Sequence, residues 1–370
     1  MRILVCPDSF KGSLSARDAA RAMARGTRRA IPGARIDLLP LADGGEGTMD
    51  ALPGRKVRVT VRGPLGRPVR AAFLLLPRRI AFIETAAAAG LLLIPPRKRD
   101  PMRTSTFGVG QLIAAAVRRR ARRVVVALGG SGTVDGGLGM AAALGARLRD
   151  SAGRPVPPGG RGLLALDSAD ARPARALLKG IRVLGASDVG SPLLGPRGAR
   201  LFMAQKGATP GQVRVLERGL ARLARVAARD LNVRVAHMPG AGSAGGLGAG
   251  LAAFLGARLV SGADLVFGLS GFAARLARAD LVLTGEGCID AGTVMGKLVA
   301  RVATHARRRG VPVLAFAGRV DISPRAVQRM GLAGAYQIAP AGTSPAESMR
   351  RAAALLEAAV EHALHARFGR

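Results

Sequence analysis

Carboxylates recur in turns at five places in this sequence, each directly after a short apolar run and mostly beside glycines. They are Asp8 in Pro7-Asp8-Ser9-Phe10-Lys11, the segment Asp43-Gly44-Gly45-Glu46-Gly47, the segment Gly129-Gly130-Ser131-Gly132-Thr133-Val134-Asp135-Gly136-Gly137, Asp188, and the segment Gly285-Glu286-Gly287-Cys288-Ile289-Asp290. Glycines let backbone amides approach phosphate oxygens and form anion-binding nests. Lysines neutralise a transferred phosphoryl group, and carboxylates hold Mg²⁺ or accept a hydroxyl proton. A single aspartate in a turn is more often structural than catalytic. Five carboxylate-bearing turns among only 23 acidic residues are harder to set aside. The inventory is that of phosphoryl transfer from a nucleotide to an alcohol.

The cations sharpen this reading. The chain has 51 Arg but six Lys (Lys11, Lys56, Lys98, Lys179, Lys206 and Lys297), so Arg is its default cation. A lysine kept against that bias supplies a compact, flexible point charge in place of a rigid fork. Lys11, Lys206 and Lys297 stand in turns containing Gly or Ser. Covalent nucleophile chemistry fits poorly, because there is no GxSxG elbow and His237, His305, His362 and His365 stand apart from these turns. Cys6 and Cys288 are too few for a disulfide framework or a four-ligand zinc site. Gly292–Lys297 falls one residue short of a P-loop, and Leu298 stands where Ser or Thr is required. Gly240–Gly245 matches GxGxxG, with Asp264 downstream. If Leu231–Met238 is a strand, that loop supports an alternative, a dinucleotide-dependent oxidoreductase.

The elements that must position these turns alternate. Strands are expected at Arg2–Cys6, Arg35–Leu39, Val124–Leu128, Arg182–Ser187, Leu281–Thr284, Val311–Ala317 and Ala335–Ile338. Helices are expected at Ala16–Arg29, Val109–Arg120, Gly137–Leu144, Gln212–Asp230, Val294–Arg309, Pro324–Met330 and Pro345–Ala366. A β-rich stretch covers Lys56–Arg62, Val69–Leu76 and Ile80–Glu84, with a hairpin at Pro77–Arg79, and Asp150–Gly162 reads as a surface loop. Strand–helix alternation indicates the α/β class. The expected architecture is two α/β domains. Residues 1–55 and 262–370 form a Rossmann- or flavodoxin-like parallel sheet from both chain ends, and 56–261 form an inserted mixed α/β domain with Gly-rich loops. Ligands of such sheets bind at strand C-termini, and a cleft between domains is the natural place.

Composition bounds the class. At 370 residues and 49% apolar, the chain can bury a core, which excludes intrinsic disorder. No run reaches the roughly 18 charge-free apolar residues of a membrane span, and the N-terminal apolar run is too short for a signal-peptide core. A cytoplasmic protein is the expectation. The net charge of +34 lies in scattered Arg runs at helix ends, where cations suit the dipole. With 3% aromatics there is little to stack on bases, so no specific nucleic-acid function is expected.

The sequence resembles the type I glycerate kinases, the bacterial family that includes glycerate 2-kinases. The stretches that carry the resemblance run in order along nearly the whole chain: PDSFKGSLSA (7–16), ADGGEGT (42–48), RDPMRTSTFGVGQLI (99–113), LGGSGTVDGG (128–137), SDVGSPLLGPRGA (187–199), QKGA (205–208), PGAGSAGGLGAGL (239–251) and TGEGCID with GK (284–290, 296–297). The resemblance implies transfer of phosphate from ATP, with Mg²⁺, to D-glycerate, 2-phosphoglycerate being favoured over 3-phosphoglycerate. It also implies a small-molecule partner, no membrane, and a homodimer as candidate assembly. On this reading Asp8, Lys11, Asp43 and Lys206 are the catalytic candidates, with Asp8 or Asp43 as base. Ser9, Gly44, Gly45, Glu46, Arg99, Ser105, Gly129, Gly130, Ser131, Gly285, Glu286 and Lys297 bind substrate or nucleotide. Asp188 and one of Asp135 or Asp290 hold the metal. Against the family pattern, Cys288 stands where Arg is usual, Val134 replaces an Asn, and Gly190-Ser191 replaces Thr-Asn.

Overall fold

A computed structural model describes residues 1–42, 47–294 and 298–368. The chain begins with strands β1 (Arg2–Val5) and β2 (Arg35–Leu38), joined through the helix Ala16–Ala30. Ser15 caps that helix by accepting from the Asp18 amide, and its small buried face (Ala19, Ala20, Ala22, Met23) lies against the sheet core. Eight strands follow: β3 (Arg55–Arg62), β4 (Pro68–Leu76), β5 (Ile80–Glu84), β6 (Arg123–Ala127), β7 (Arg147–Arg149), β8 (Ser168–Asp170), β9 (Arg182–Ala186) and β10 (Arg258–Val260). The last three, β11 (Leu281–Ile289), β12 (Val313–Val320) and β13 (Gly334–Gln337), return to the sheet of β1 and β2.

Two compact units result. The first comprises Met1–Asp43, Asp50–Pro53 and Ala263–Arg370. Its sheet has the order β13-β12-β11-β1-β2, with every described pairing parallel. Numbered within the unit, that is the 2-1-3-4-5 order of flavodoxin-like folds, whose crevice opens between the first and third strands, here β1 and β11. The second unit comprises Gly44–Met49 and Gly54–Gly262. Its mixed sheet has the order β10-β9-β6-β5-β4-β3; β5, β6, β9 and β10 pair in parallel, and β3 and β4 extend the sheet antiparallel. The fold class is therefore α/β, a parallel sheet from both chain ends plus a mixed sheet.

Several local expectations are corrected. Gly285–Ile289 is not a loop after β11 but its continuation, paired with β12 through Gly285↔Phe316, Glu286↔Ala317, Cys288↔Arg319 and Ile289↔Val320. A Cβ on Gly285 would stand 2.2 Å from the Phe316 carbonyl, so glycine here admits the neighbouring backbone and does not break the strand. Leu231–Met238 is not a strand. The helix Pro210–Leu231 runs through its start and stops at Asn232 in the left-handed region (φ 54°), where asparagine is tolerated. Residues 150–160 do form a mostly exposed loop, between β7 of a small antiparallel pair with β8 and the short helix Arg161–Ala165, which takes up the last two residues of the expected loop. Ser243–Leu255 forms a buried helix that its glycine content concealed.

Candidate active site

In the first unit, the turn after β1 lies against the extended part of β11. The Asp8 amide donates to the Gly285 carbonyl (2.8 Å), and a Cβ on Gly287 would stand 3.4 Å from the Lys11 nitrogen. Around this point opens a cavity of about 570 Å³, lined by Asp8, Ser9, Lys11, Glu286, Cys288 and Arg319 among others. It sits at the C-terminal ends of β1, β11 and β12, at the switch point of the sheet. Asp8 and Glu286 are buried. Thr293 Oγ1 donates to Glu286 Oε1 (2.8 Å), and the Thr293 amide donates to Asp290 Oδ1 (3.0 Å). Asp290 thereby caps the short helix Ala291–Val294. Arg319, the register partner of Cys288, pairs with Asp321 (2.6 Å). Cys6 is fully buried, and burial drives its thiol far above the ordinary range, so it acts as a packing residue.

In the second unit, the turn Gly129–Gly137 after β6 is held from several sides. Asp135 is fully buried. Its Oδ2 accepts from the amides of Thr106 (2.7 Å) and Gly139 (3.3 Å), and its Oδ1 accepts from the Gly137 amide (3.1 Å). Thr106 Oγ1 donates to the same carboxylate and accepts from the Met140 amide. One carboxylate thus serves the N-terminal ends of two helices, Phe107–Arg118 and Leu138–Ala143, where negative charge is favoured. Burial raises its pKa, and these donors pull it back down.

Lys206 is 3% exposed and donates from Nζ to the Thr133 carbonyl (2.9 Å). Burial lowers its pKa to about 8, with the Asp135 carboxylate working in the opposite sense. The amides of Gly129, Gly130 and Ser131 donate to no described group, whereas those of Gly132 and Gly136 are engaged with Ala89 and Gly245. Asp188, exposed at the end of β9, accepts from Ser261 Oγ (2.8 Å). Arg99 and Ser105 line a separate, strongly basic cavity of about 970 Å³.

The first unit therefore brings together Asp8, Ser9, Lys11 and Glu286 over Gly285, with Asp290 close by in sequence and engaged as a cap. The second brings together Gly129, Gly130, Ser131, Asp135 and Lys206. Asp43, Gly44, Gly45, Glu46 and Lys297 lie outside the described residues. Among the described residues no three His, Cys, Asp or Glu side chains form a group that could hold a metal ion. Buried amide and hydroxyl donors engage both oxygens of Asp135. Asp188 alone among the three metal candidates combines exposure with a strand-end position. The Gly240–Gly245 loop loses its dinucleotide reading with the missing strand: a Cβ on Gly242 would stand 2.2 Å from the Pro192 carbonyl and one on Gly245 2.0 Å from the Thr133 carbonyl, so these glycines serve loop-to-loop packing. Sequence reasoning missed Thr106 and Arg319. Arg319 had a usable signal, its place at the end of a predicted strand, but a search for strand-end carboxylates passes over a cation.

A flavodoxin-order sheet with carboxylates and a lysine at its switch point, and a mixed sheet with a glycine turn and a buried lysine, define an α/β scaffold with charged, glycine-bearing turns at its strand ends. The profile of the glycerate kinase family matches residues 3–367, and the chain belongs to that family. It is 43% identical over 366 residues to a glycerate kinase of Halalkalibacterium halodurans, covering 97% of this chain and 96% of the relative. It is 40% identical to the glycerate 2-kinase of Escherichia coli K12, covering 91% and 90%. A crystal structure from Salmonella typhimurium LT2, provisionally named glycerate kinase 2, superposes with a TM-score of 0.89 at 41% identity, covering 99% and 98%. No described helix is long and apolar enough to cross a membrane.

Proposed function

We propose that this protein transfers the γ-phosphoryl group of ATP, with Mg²⁺, to the 2-hydroxyl of D-glycerate. The observation that carries the reading is Lys206, a lysine retained among 51 arginines and buried beside a turn whose Gly129, Gly130 and Ser131 amides are unengaged. A cation with unengaged amides beside it is what a phosphoryl group requires. The relative named glycerate 2-kinase supports the 2-hydroxyl as acceptor.

In the reaction, the glycerate hydroxyl oxygen bonds to the γ-phosphorus as the bond from that phosphorus to the bridging oxygen of ADP breaks. The hydroxyl proton passes to a carboxylate. Asp8, held by its own amide against β11, takes that role, and Glu286 is oriented beside it by Thr293. Lys11 and Lys206 neutralise phosphate charge or the glycerate carboxylate. Ser9, Arg99, Ser105, Gly129, Gly130 and Ser131 contact substrate or nucleotide. Asp188 would hold Mg²⁺, which needs only one or two carboxylates and, when bound, would lower the charge on the phosphate oxygens.

The test is ADP release measured with and without D-glycerate. Release that depends on D-glycerate and stops when EDTA removes the divalent ion is expected. ADP release indifferent to D-glycerate, in a folded sample, would overturn the assignment of the acceptor. An Asp188→Asn variant with unchanged turnover would remove Asp188 from the metal site.

A further inference from the structure

The basic cavity of the second unit has no counterpart in the carboxylate-lined site. It opens between the turn joining β3 to β4 and the segment 93–103, and Arg62, Arg67, Arg97, Lys98, Arg99, Arg103 and Arg161 line it. Its one acidic lining residue, Asp100, is already engaged: its Oδ1 accepts from the Met102 amide (3.0 Å) and from Gln212 Nε2 (3.2 Å). None of these seven cations forms an ion pair among the described residues. Arg99 Nε is buried and donates to no described group. The Arg62 guanidinium stands over the Phe107 ring, its carbon 4.4 Å from the centroid, a cation–π contact that steadies it at the rim.

Like charges gathered on a concave wall raise the local potential and draw in a counter-anion. Guanidinium forks match phosphate oxygens bidentately. At about 970 Å³ the cavity is of the size that takes a small molecule, and seven cations exceed what one monophosphate needs. We propose that this cavity binds a linear polyphosphate chain, whether carried by a nucleoside triphosphate or present as inorganic tripolyphosphate. The inference deepens the kinase reading and rests on it only for the physiological source of the chain.

The test is titration of the whole protein with inorganic tripolyphosphate by calorimetry at about 0.15 M salt, where weak surface attraction is screened. Wild type is compared with Arg67→Ala/Arg97→Ala/Arg103→Ala and with Arg307→Ala/Arg308→Ala/Arg309→Ala, a charge-matched control in an exposed run. The cavity variant is expected to bind about 30-fold more weakly or worse, having lost three charge-assisted contacts, and the control to stay within about threefold, as screened distant charges should. Its unliganded melting temperature is expected to hold or rise, because repulsion has been removed. If it fails to fold, Arg67→Gln and Arg97→Gln singly carry the test.

Equal weakening in both triple variants, or no binding by wild type, overturns the proposal. Repeating the titration with ATP separates the sources: a matching loss in the cavity variant assigns the nucleotide, and an unchanged ATP affinity assigns inorganic polyphosphate. Intact D-glycerate phosphorylation without tripolyphosphate binding defeats this inference alone. Tripolyphosphate binding in a protein that phosphorylates no acceptor defeats the kinase reading alone.

Discussion

Both units carry charge at the C-terminal ends of parallel strands, but they keep it differently. In the first, Asp8, Lys11, Glu286 and Arg319 line an open cavity, and Lys11 is exposed. In the second, Asp135 and Lys206 are withdrawn almost completely from solvent. A charge at a cavity wall keeps part of its hydration, can be replaced at small structural expense, and is free to meet a ligand. A buried charge loses hydration and must be held by protein donors and acceptors, so it fixes the backbone around it. The first arrangement favours chemistry on a ligand. The second favours a rigid frame in which Lys206 is the one group whose charge is poised to respond.

The contrast is sharpest in single substitutions. Asp8→Asn keeps the shape and the acceptor for the Ser9 amide but removes the base. Turnover is expected to fall about 10²- to 10⁴-fold with little change in melting temperature. A comparable loss of stability would make Asp8 a structural residue and erase the difference between the units.

Asp135→Ala leaves the amides of Thr106, Gly137 and Gly139 without their acceptor and Lys206 without its nearby carboxylate. A loss of about 3–5 kcal/mol is expected in denaturant unfolding. A loss below about 1 kcal/mol, the size of one ordinary hydrogen bond, would contradict its role as anchor of two helices.

Lys206→Met tests the responsive charge. Folding lowers the Lys206 pKa from 10.5 to about 8, so between those values the unfolded chain binds the extra proton and stability rises with pH. Below about 8 the full burial penalty applies. The stability difference between variant and wild type is expected to shift by up to roughly 3 kcal/mol across that window, as read by unfolding at several pH values. Parallel pH profiles would mean that Lys206 is not desolvated in the folded state.

The smallest of these effects is expected at Gly139. A Cβ there would stand 2.1 Å from Ser105 Oγ and 2.9 Å from Asp135 Oδ2, so Gly139→Ala should destabilise by about 1–3 kcal/mol through overpacking. A calorimetric melt unchanged from wild type would mean that the packing around the buried carboxylate is looser than described.

Much of this was legible in the sequence where local and tertiary forces agree. β1, the helix Ala16–Ala30 and the helix Pro210–Leu231 lie where the sequence placed them, at 2–6, 16–29 and 212–230, and the structure adds a Thr209–Gln212 capping box to the last. The sequence was silent where tertiary contact overrides local preference. Glycine at 285 and 287 reads as loop, yet pairing with β12 draws both into β11. Ser243–Leu255 hides a helix behind glycines that close packing requires. At the site, residue type pointed to Asp8, Lys11, Glu286, Asp135 and Lys206, but type alone could not separate an anchor from a reactant. Asp135 and Asp188 look alike in sequence; only the donors around the first, and the exposure of the second, tell them apart.

The most direct test of the central claim is a proton-coupled ³¹P NMR spectrum taken after incubating the protein with MgATP and D-glycerate. The account predicts ADP and a new phosphomonoester doublet, the splitting of a phosphate on a carbon bearing one hydrogen, as in 2-phosphoglycerate. A triplet would place the phosphate on the CH₂ carbon and contradict the 2-hydroxyl assignment. ATP and D-glycerate left unchanged by folded protein would contradict the kinase itself.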